Sequence, residues 1–202
     1  MAPSTEKSEL RKRILAARDG LAPAARHDFS ARITPRLLAI PSYRAARCVA
    51  AYVGFGTEFD TGAFVADVLT RDKKLVLPRV ERTTRSLRLY AVRDPETELV
   101  PGVWGIREPS PDTCPEVPLA AVEFVLIPGV AFTARRERLG YGGGYYDRLI
   151  LALEGRAVLV AAAFGLQIVP ELPVTKTDQK VDLVVTEEAE YGRERSAVAG
   201  RS

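Results

Sequence analysis

The sequence is poor in the residues on which many catalytic and structural sites are built. Of its 202 residues, one is a histidine, two are cysteines and one is a tryptophan. Cys48 and Cys114 show no CxxC spacing, so we expect no disulfide framework and a reducing, cytoplasmic environment. The lone histidine, His27, lies on a predicted surface helix. The chain therefore offers no Ser–His–Asp or Cys–His constellation for nucleophilic catalysis.

The sequence also lacks long apolar runs and a strong excess of one charge. No run approaches the length of a membrane span, and the N-terminal "MAPSTEKSELRKR" has no apolar segment behind its charges, so we expect neither membrane insertion nor a secretory signal. The net charge is +3, and the basic residues are interleaved with 26 acidic ones. This mild excess would suit an anionic ligand, but it does not indicate nucleic-acid binding.

Apolar strand-like segments alternate with helical ones along the chain. Hydrophobic residues make up 47% of the sequence, which is enough for a folded core. Helices are predicted at 5–18, 23–38, 61–72 and 145–153. Strands are predicted at 47–54, 73–78, 87–92, 122–128, 157–164 and 181–186. Pro35 is expected to kink or shorten the second helix.

This alternation predicts one α/β domain over residues 1–202, with a mainly parallel central sheet flanked by helices on both faces. The Pro-rich segment 93–118 is predicted to be a long loop, and the charged segment 187–202 a flexible tail. In such folds ligands bind beyond the carboxyl ends of strands. The loops "GFGTEFD" and "RRERLGYGGGYYDR" both fall at predicted strand ends, and we expect the chain to act as a monomer.

The segment "RRERLGYGGGYYDR", Arg135–Arg148, combines four glycines with a helix start. Glycines allow backbone amides to approach an anion closely, and free N–H groups at the helix start favour negative charge. The arginines could add charge-assisted hydrogen bonds, and Asp147 could hold Mg²⁺. No GxxxxGK[ST] motif is present, and GxGxxG fails because Tyr145 replaces its last glycine. From the residues alone, phosphate binding and a plain flexible turn both stay open.

A resemblance to a known family narrows this choice. "RLGYGGGYYDR", preceded by "LIPGVAF", resembles the signature of the 5-formyltetrahydrofolate cyclo-ligases, also called methenyltetrahydrofolate synthetases. Other segments are similar and stand in the family's order: "KSELRKR", "YVGFGTEFDT", "LVLPRV", "WGIREP" and "TDQKVDLVVTE". The resemblance implies ATP- and Mg²⁺-dependent cyclisation of 5-formyltetrahydrofolate to 5,10-methenyltetrahydrofolate, with release of ADP and phosphate. A divergent, non-catalytic nucleotide-binding relative is the alternative.

The resemblance also implies roles for particular residues. The ATP site would comprise Lys7, Arg11, Arg138, Leu139, Gly140, Tyr141, Gly142, Gly143, Gly144, Tyr145 and Tyr146. The folate site would comprise Val53, Glu58, Trp104, Tyr141 and Tyr145. Glu58, Arg138 and Tyr146 would be catalytic, and Asp147 and Asp178 would bind Mg²⁺.

Each implied role has a plainer alternative. Lys7 and Arg11 could form an ordinary solvated helix face, Glu58 could be a helix N-terminal acid, and Trp104 could anchor a loop. Some relatives carry Arg and Lys where this chain has Tyr141 and Gly143, so the missing charge is expected from Arg135 or Arg136.

Overall fold

The computed structural model describes residues 3–192, which form a layered α/β domain. Its α-helices are α1 (Pro3–Asp19), α2 (Pro23–Ala39), α3 (Pro41–Ala45), α4 (Gly62–Thr70), α5 (Pro95–Glu98) and α6 (Tyr145–Ala152). Its strands are β1 (Cys48–Ala50), β2 (Lys74–Glu81), β3 (Ser86–Ala91), β4 (Leu99–Pro101), β5 (Arg107–Pro109), β6 (Phe124–Ile127), β7 (Ala131–Phe132), β8 (Arg138–Leu139), β9 (Val158–Ala162), β10 (Leu183–Val185) and β11 (Glu190–Gly192).

Seven strands form the central sheet, in the order β11-β10-β9-β6-β1-β2-β3. The five inner strands run parallel, and β3 and β11 pair antiparallel at the two edges. Val49 of β1 stands opposite Leu75 of β2 on one side and Phe124 of β6 on the other. The prediction of a mainly parallel central sheet is thus confirmed.

Alternate side chains of these strands enter two separate cores. On one face, Val49 and Phe124 pack with α2, α3 and α4, whose Phe64 is fully buried. On the other face, Ala50 and Val125 pack with α6. This two-sided burial explains the continuous apolar runs of the inner strands, and it confirms that helices flank both faces.

The connections from β1 and β6 leave the sheet in opposite directions. The chain passes from β1 through α4 to β2 on one face, and from β6 through α6 to β9 on the other. Because β1 and β6 are adjacent and parallel and their connections lie on opposite faces, a crevice is expected beyond their carboxyl ends. Such a switch point is where open α/β sheets bind ligands.

Helix α1 closes one side of this crevice. Its Ile14 packs in a third apolar cluster with Val130, Ala131 and Leu139 of the β7–β8 hairpin. That hairpin leads directly into the glycine-rich loop. The packing of Ile14 therefore brings the polar face of α1 against the loop.

Helix α2 does not end at its internal proline. It continues through Pro35 to Ala39, so of the two expected effects of this proline, a kink or a shortened helix, the shortening was wrong. Pro35 cannot donate a backbone hydrogen bond, but Ile33 and Leu37 on either side of it are fully buried in the core. Burial of this apolar face outweighs the local penalty.

The predicted long loop at 93–118 contains regular structure. Strands β4 and β5 pair antiparallel within it, with Val100 opposite Glu108. Arg107 ties this hairpin to α5 by donating to the carbonyls of Pro95 and Glu96 at 2.9 and 2.8 Å. Three-residue strands that include prolines give little signal in a sequence.

The predicted flexible tail also begins inside the fold. Glu190–Gly192 form β11, which pairs antiparallel with β10 at the sheet edge. The prediction for 187–202 was therefore wrong over these three residues, while residues 193–202 lie outside the described part of the chain. None of the described helices has the length and hydropathy needed to cross a membrane.

Candidate functional site

The glycine-rich loop joins β8 to α6 through a backbone that glycine favours. Gly142 and Gly144 have φ angles of +106° and +66°, and a Cβ on Gly143 would lie 2.7 Å from the Tyr145 ring. Gly144 is the N-cap of α6, so the first N–H groups of this helix border the loop. The combination suits an anion held by backbone amides.

Arg138 is enclosed beneath this loop. Its side chain is 2% exposed and donates to Asp147 Oδ1 at 2.8 Å and to the Pro128 carbonyl at 3.1 Å. Its Nε atom has no hydrogen-bond partner among the described residues. The structure thus gives Arg138 a role in holding Asp147, and its predicted contact with phosphate stays a prediction.

Helix α1 carries Lys7 and Arg11, the two basic residues that were predicted to contact ATP. Lys7 Nζ lies 2.5 Å from Asp178 Oδ2, and Arg11 Nε donates to the Gly140 carbonyl at 2.7 Å. The Arg11 guanidinium carbon would lie 3.6 Å from a Cβ added at Gly142. Arg11 therefore borders the loop and Lys7 pairs with Asp178, so neither is an unattached solvated side chain, and the predicted contact of both with ATP stays a prediction.

The two predicted metal ligands approach the loop from different segments. Asp147 Oδ1 also accepts a hydrogen bond from the backbone N–H of Gln179 at 3.2 Å. Because Gln179 directly follows Asp178 in the sequence, Asp147 lies close to the segment that carries Asp178. Burial alone would raise the pKa of Asp178, but hydrogen bonds from Lys7 and Thr175 outweigh it and lower that pKa. Asp178 therefore stays ionised. The Thr177 hydroxyl hydrogen-bonds to that of Thr175, and it is not among the described donors to either carboxylate.

This donor set fits Mg²⁺ in its chemistry. Asp147 Oδ2 and Asp178 Oδ1 accept no hydrogen bond from the described residues, so each carboxylate keeps one oxygen available. The described residues contain no group of three or more His, Cys, Asp or Glu that could hold a metal unaided. Mg²⁺ commonly needs only one or two carboxylates when phosphates and water complete its shell.

Glu58 lies in the loop that follows β1, facing the glycine-rich loop. Its carboxylate accepts from the Tyr141 hydroxyl at 2.5 Å and from the Phe55 N–H at 3.2 Å. Burial raises the pKa of Glu58, and these hydrogen bonds together with nearby Arg18 partly offset the effect. Tyr141 therefore joins the predicted ATP loop to the predicted folate carboxylate.

Two further tyrosines surround this carboxylate. Tyr146 is half-buried at the start of α6, and Tyr52 is 5% exposed at the end of β1. Burial, followed by the charge of Glu58, raises the pKa of each phenol. The phenols are thus neutral, and they can act as hydrogen-bond donors at ordinary pH.

Trp104 lies on the other side of the loop. It is 68% exposed, and its ring contacts the Tyr145 ring edge-on, with centroids 5.8 Å apart. The Arg148 guanidinium lies 5.3 Å from the centre of the same Tyr145 ring. An exposed indole beside the loop is available for stacking, whereas Val53 is half-buried against the core.

The expectation that Arg135 or Arg136 supplies charge to the loop was wrong. Arg135 pairs with Glu137 at 3.6 Å. Arg136 packs against Gly192 of the edge strand, where its side chain would clash with an added Cβ at 2.5 Å. The arginines that do border the loop come from α1, β8 and α6.

Sequence reasoning missed two residues of the site, Arg18 and Tyr52. Arg18 Nη2 donates to the Tyr141 hydroxyl at 3.0 Å. A signal was present, because Lys7, Arg11 and Arg18 fall within about 40° of one another at 100° per residue of helix. Tyr52 lies two residues beyond the end of β1, on the side of the sheet where ligands are expected.

The fold and the site define an α/β protein with a glycine-rich loop at the switch point of its sheet. The chain belongs to the 5-formyltetrahydrofolate cyclo-ligase family, whose model matches residues 3–187. The predicted family resemblance is thus confirmed.

Individual relatives agree with this assignment. The chain is 29% identical to the 5-formyltetrahydrofolate cyclo-ligase of Escherichia coli K12, covering 84% of this chain and 93% of the relative. It is 27% identical to the mouse enzyme of that name, covering 91% and 92%. The solved 5,10-methenyltetrahydrofolate synthetase of Aquifex aeolicus matches with a TM-score of 0.79 and 35% identity, over 97% of this chain and 95% of that one.

A second solved structure supports the fold. The 5,10-methenyltetrahydrofolate synthetase of Mycoplasma pneumoniae matches with a TM-score of 0.73, over 90% of this chain and 99% of that one. Its sequence identity is 22%, so the likeness is one of architecture.

Proposed function

We propose that this protein catalyses the ATP-dependent cyclisation of 5-formyltetrahydrofolate to 5,10-methenyltetrahydrofolate, releasing ADP and phosphate. Membership of the cyclo-ligase family supports the substrate and product. The observation that carries the proposal is the hydrogen bond between Tyr141 of the glycine-rich loop and Glu58 of the loop after β1. It brings the glycine-rich backbone that would bind phosphate together with a half-buried carboxylate.

The reaction needs two nucleophiles, and the folate supplies both. The formyl oxygen attacks the γ-phosphorus of ATP, forming an O–P bond while the bond from phosphorus to the ADP oxygen breaks. The formyl carbon then carries a phosphate leaving group and an iminium bond to N5. N10 adds to this carbon and loses its proton, and the C–O bond breaks to release phosphate. The protein must align these groups and neutralise charge, as phosphoryl transfer generally requires.

The phosphates of ATP would lie on the glycine-rich loop. Backbone N–H groups of Gly142, Gly143 and Gly144 are unobstructed by side chains, and those at the start of α6 add the positive end of the helix dipole. Arg11, at the Gly140 carbonyl, and Lys7, at Asp178, project from the same face of α1 and would neutralise the phosphate charge.

The reacting part of the folate would face Glu58. A carboxylate held in a partly desolvated site stabilises a cationic iminium more strongly than one in bulk water does. The neutral phenol of Tyr146 can donate a hydrogen bond to the formyl oxygen or the transferred phosphate. Trp104 and Tyr145 would stack on the ring systems at the rim of the crevice.

Asp147 and Asp178 would hold a magnesium ion through their available oxygens. When bound, this ion would neutralise charge on the β- and γ-phosphate oxygens. Arg138 and the Gln179 N–H fix the orientation of Asp147, and Lys7 with Thr175 fixes that of Asp178.

The direct test mixes the purified protein with MgATP and 5-formyltetrahydrofolate. We expect the absorbance of the methenyl product to rise, with ADP released in equal amount. Omission of ATP or chelation of Mg²⁺ should abolish the signal. If ATP binds but no methenyl product forms, the protein is a nucleotide-binding relative without this activity, and the proposal is wrong.

A further inference from the structure

Arg18 is a charged side chain buried at the edge of the crevice. The residue is 3% exposed. Its Nε donates to Thr57 Oγ1 at 3.1 Å and its Nη2 to the Tyr141 hydroxyl at 3.0 Å. Burial of a guanidinium is costly, and partners that are neutral hydroxyls compensate for it less well than carboxylates do. The cost of burying Arg18 therefore points to a functional role for this side chain.

The hydrogen bonds from Arg18 have a fixed direction. A guanidinium can only donate, so the Tyr141 hydroxyl must accept from Arg18. The single proton of that hydroxyl is then directed to Glu58, whose Oε1 lies 2.5 Å away. The guanidinium also lies 5.9 Å from the centre of the Tyr141 ring, which helps to hold the ring in place. One residue of α1 thus orients a tyrosine of the glycine-rich loop, which in turn orients a carboxylate after β1.

We propose that Arg18 is a positioning residue for the reaction, acting through the Tyr141 hydroxyl to keep Glu58 ionised and aimed at the folate. This inference rests on the proposed function, because it takes Glu58 as the carboxylate that faces the folate. Arg18 itself need touch neither substrate.

The electrostatic surroundings of Glu58 support this role. The groups that face it are Arg18 of α1, the Tyr141 hydroxyl, the phenols of Tyr52 and Tyr146, and the Phe55 N–H. Burial raises the pKa of Glu58, whereas Tyr141, the Phe55 N–H and Arg18 act to lower it. Removal of the guanidinium or of the Tyr141 hydroxyl should therefore raise the pKa of Glu58 further.

This shift has a definite sign in the kinetics. If catalysis needs the ionised carboxylate, activity is lost as the pH falls through the pKa of Glu58. A higher pKa then moves the acid limb of the kcat/KM profile for folate to higher pH. A merely structural role of Arg18 would lower stability and leave this limb in place.

The experiment compares Arg18→Gln, Tyr141→Phe and the double variant with wild type. Arg13→Gln is the matched control, because Arg13 is an exposed arginine of the same helix. We expect kcat/KM for folate to fall roughly 10- to 100-fold in each single variant, as for loss of a hydrogen bond in a charged network. The acid limb should move to higher pH in both. The double variant should be little worse than either single one, because the two residues act in series.

Arg18→Lys provides a rescue test. It restores a positive charge behind Tyr141 without the second hydroxyl contact, so its acid limb should lie between those of wild type and Arg18→Gln. Melting temperatures are measured alongside, and kinetics are run well below the lowest of them.

Three results would overturn the inference. Arg18→Gln could match Arg13→Gln in its pH profile, the effects of Arg18→Gln and Tyr141→Phe could add in full, or only the melting temperature could fall.

Failure of the proposed function would look different, because wild type itself would form no methenyl product. Folate binding can then be followed by the fluorescence of Trp104, the only tryptophan in the chain. The same comparison of variants across pH applies to that binding signal, so the role of Arg18 can still be decided.

Discussion

The substitution Asp147→Asn tests the metal assignment and the buried ion pair at the same time. In the structure Asp147 pairs with the enclosed Arg138 through Oδ1, and its Oδ2 accepts no hydrogen bond from the described residues. Asparagine keeps the size of the side chain but removes its charge. The guanidinium of Arg138 would then lack its counter-ion in a site that water scarcely reaches.

The expected loss of stability follows from this burial. Removing one partner of a buried ion pair costs about 3–5 kcal/mol. Here the Arg138 side chain is 2% exposed, Asp147 is 23% exposed, and the Pro128 carbonyl still accepts from Arg138. The Asn carbonyl can also accept a neutral hydrogen bond, so we expect about 2–3 kcal/mol. For a domain of this size that loss lowers Tm by about 5–10 °C.

The assay separates stability from metal binding. Tm is measured by circular dichroism, and turnover is measured against Mg²⁺ concentration at a temperature where the variant is fully folded. We expect a lower kcat and a higher Mg²⁺ concentration for half-maximal activity. Adding Arg138→Met to Asp147→Asn should restore part of the Tm, because the unpaired charge is gone, without restoring the response to Mg²⁺.

Asp67→Asn is the control for this experiment. Asp67 lies on α4, which packs on the opposite face of the sheet from α6. Its carboxylate accepts hydrogen bonds from Tyr43 at 2.5 Å and from Arg71 at 2.7 Å. Its loss should lower Tm and leave the response to Mg²⁺ unchanged. An unchanged Tm for Asp147→Asn would show that the ion pair does not stabilise the fold. A lower Tm with a wild-type response to Mg²⁺ would show that Asp147 does not bind the metal.

Three further substitutions examine other parts of the site. Lys7→Met removes the cation 2.5 Å from Asp178, and steady-state kinetics should show KM for ATP raised roughly tenfold; an unchanged KM would place the phosphates elsewhere. Gly142→Ala places an alanine at φ +106°, which costs about 1–3 kcal/mol and distorts the loop, so titration calorimetry should find weaker ATP binding. Unchanged ATP affinity would place the loop outside the ATP site. Trp104→Ala should raise KM for folate and leave Tm unchanged, because the indole is 68% exposed; equal KM values would make it a simple loop residue.

The parts of the fold that the sequence predicted are those with strong local patterns. Phe124–Ile127 is a run of apolar residues buried on both faces, and its hydrophobicity alone identifies an inner parallel strand. The first strand was predicted too long, at 47–54 rather than 48–50. Ala51 and Tyr52 are buried beyond the end of β1, so the apolar pattern of the sequence continues after the strand pairing has ended.

The parts that could not be predicted depend on contacts between distant segments. Arg18 and Tyr141 are 123 positions apart, and no local pattern says that they meet. Arg138 shows the same limit at shorter range. Its residue type beside a glycine-rich loop suggests phosphate binding, but closure of the loop brings Asp147 back onto it. Which anion an arginine meets is decided by tertiary structure.

Helix α1 supplies positive charge next to a loop that has few charges of its own. Tyr141 and Gly143 contribute no charge to the loop, and Arg135 and Arg136 lie elsewhere. One face of α1 instead places Lys7 at Asp178, Arg11 at the Gly140 carbonyl and Arg18 at the Tyr141 hydroxyl. Ile14 anchors this helix in an apolar cluster with the β7–β8 hairpin. This packing holds the three cationic side chains on the side of α1 that faces the site. On the proposed function, Lys7 and Arg11 of this distant helix supply positive charge for the phosphates, while Arg18 positions Glu58 through Tyr141, and the glycines supply backbone amides alone.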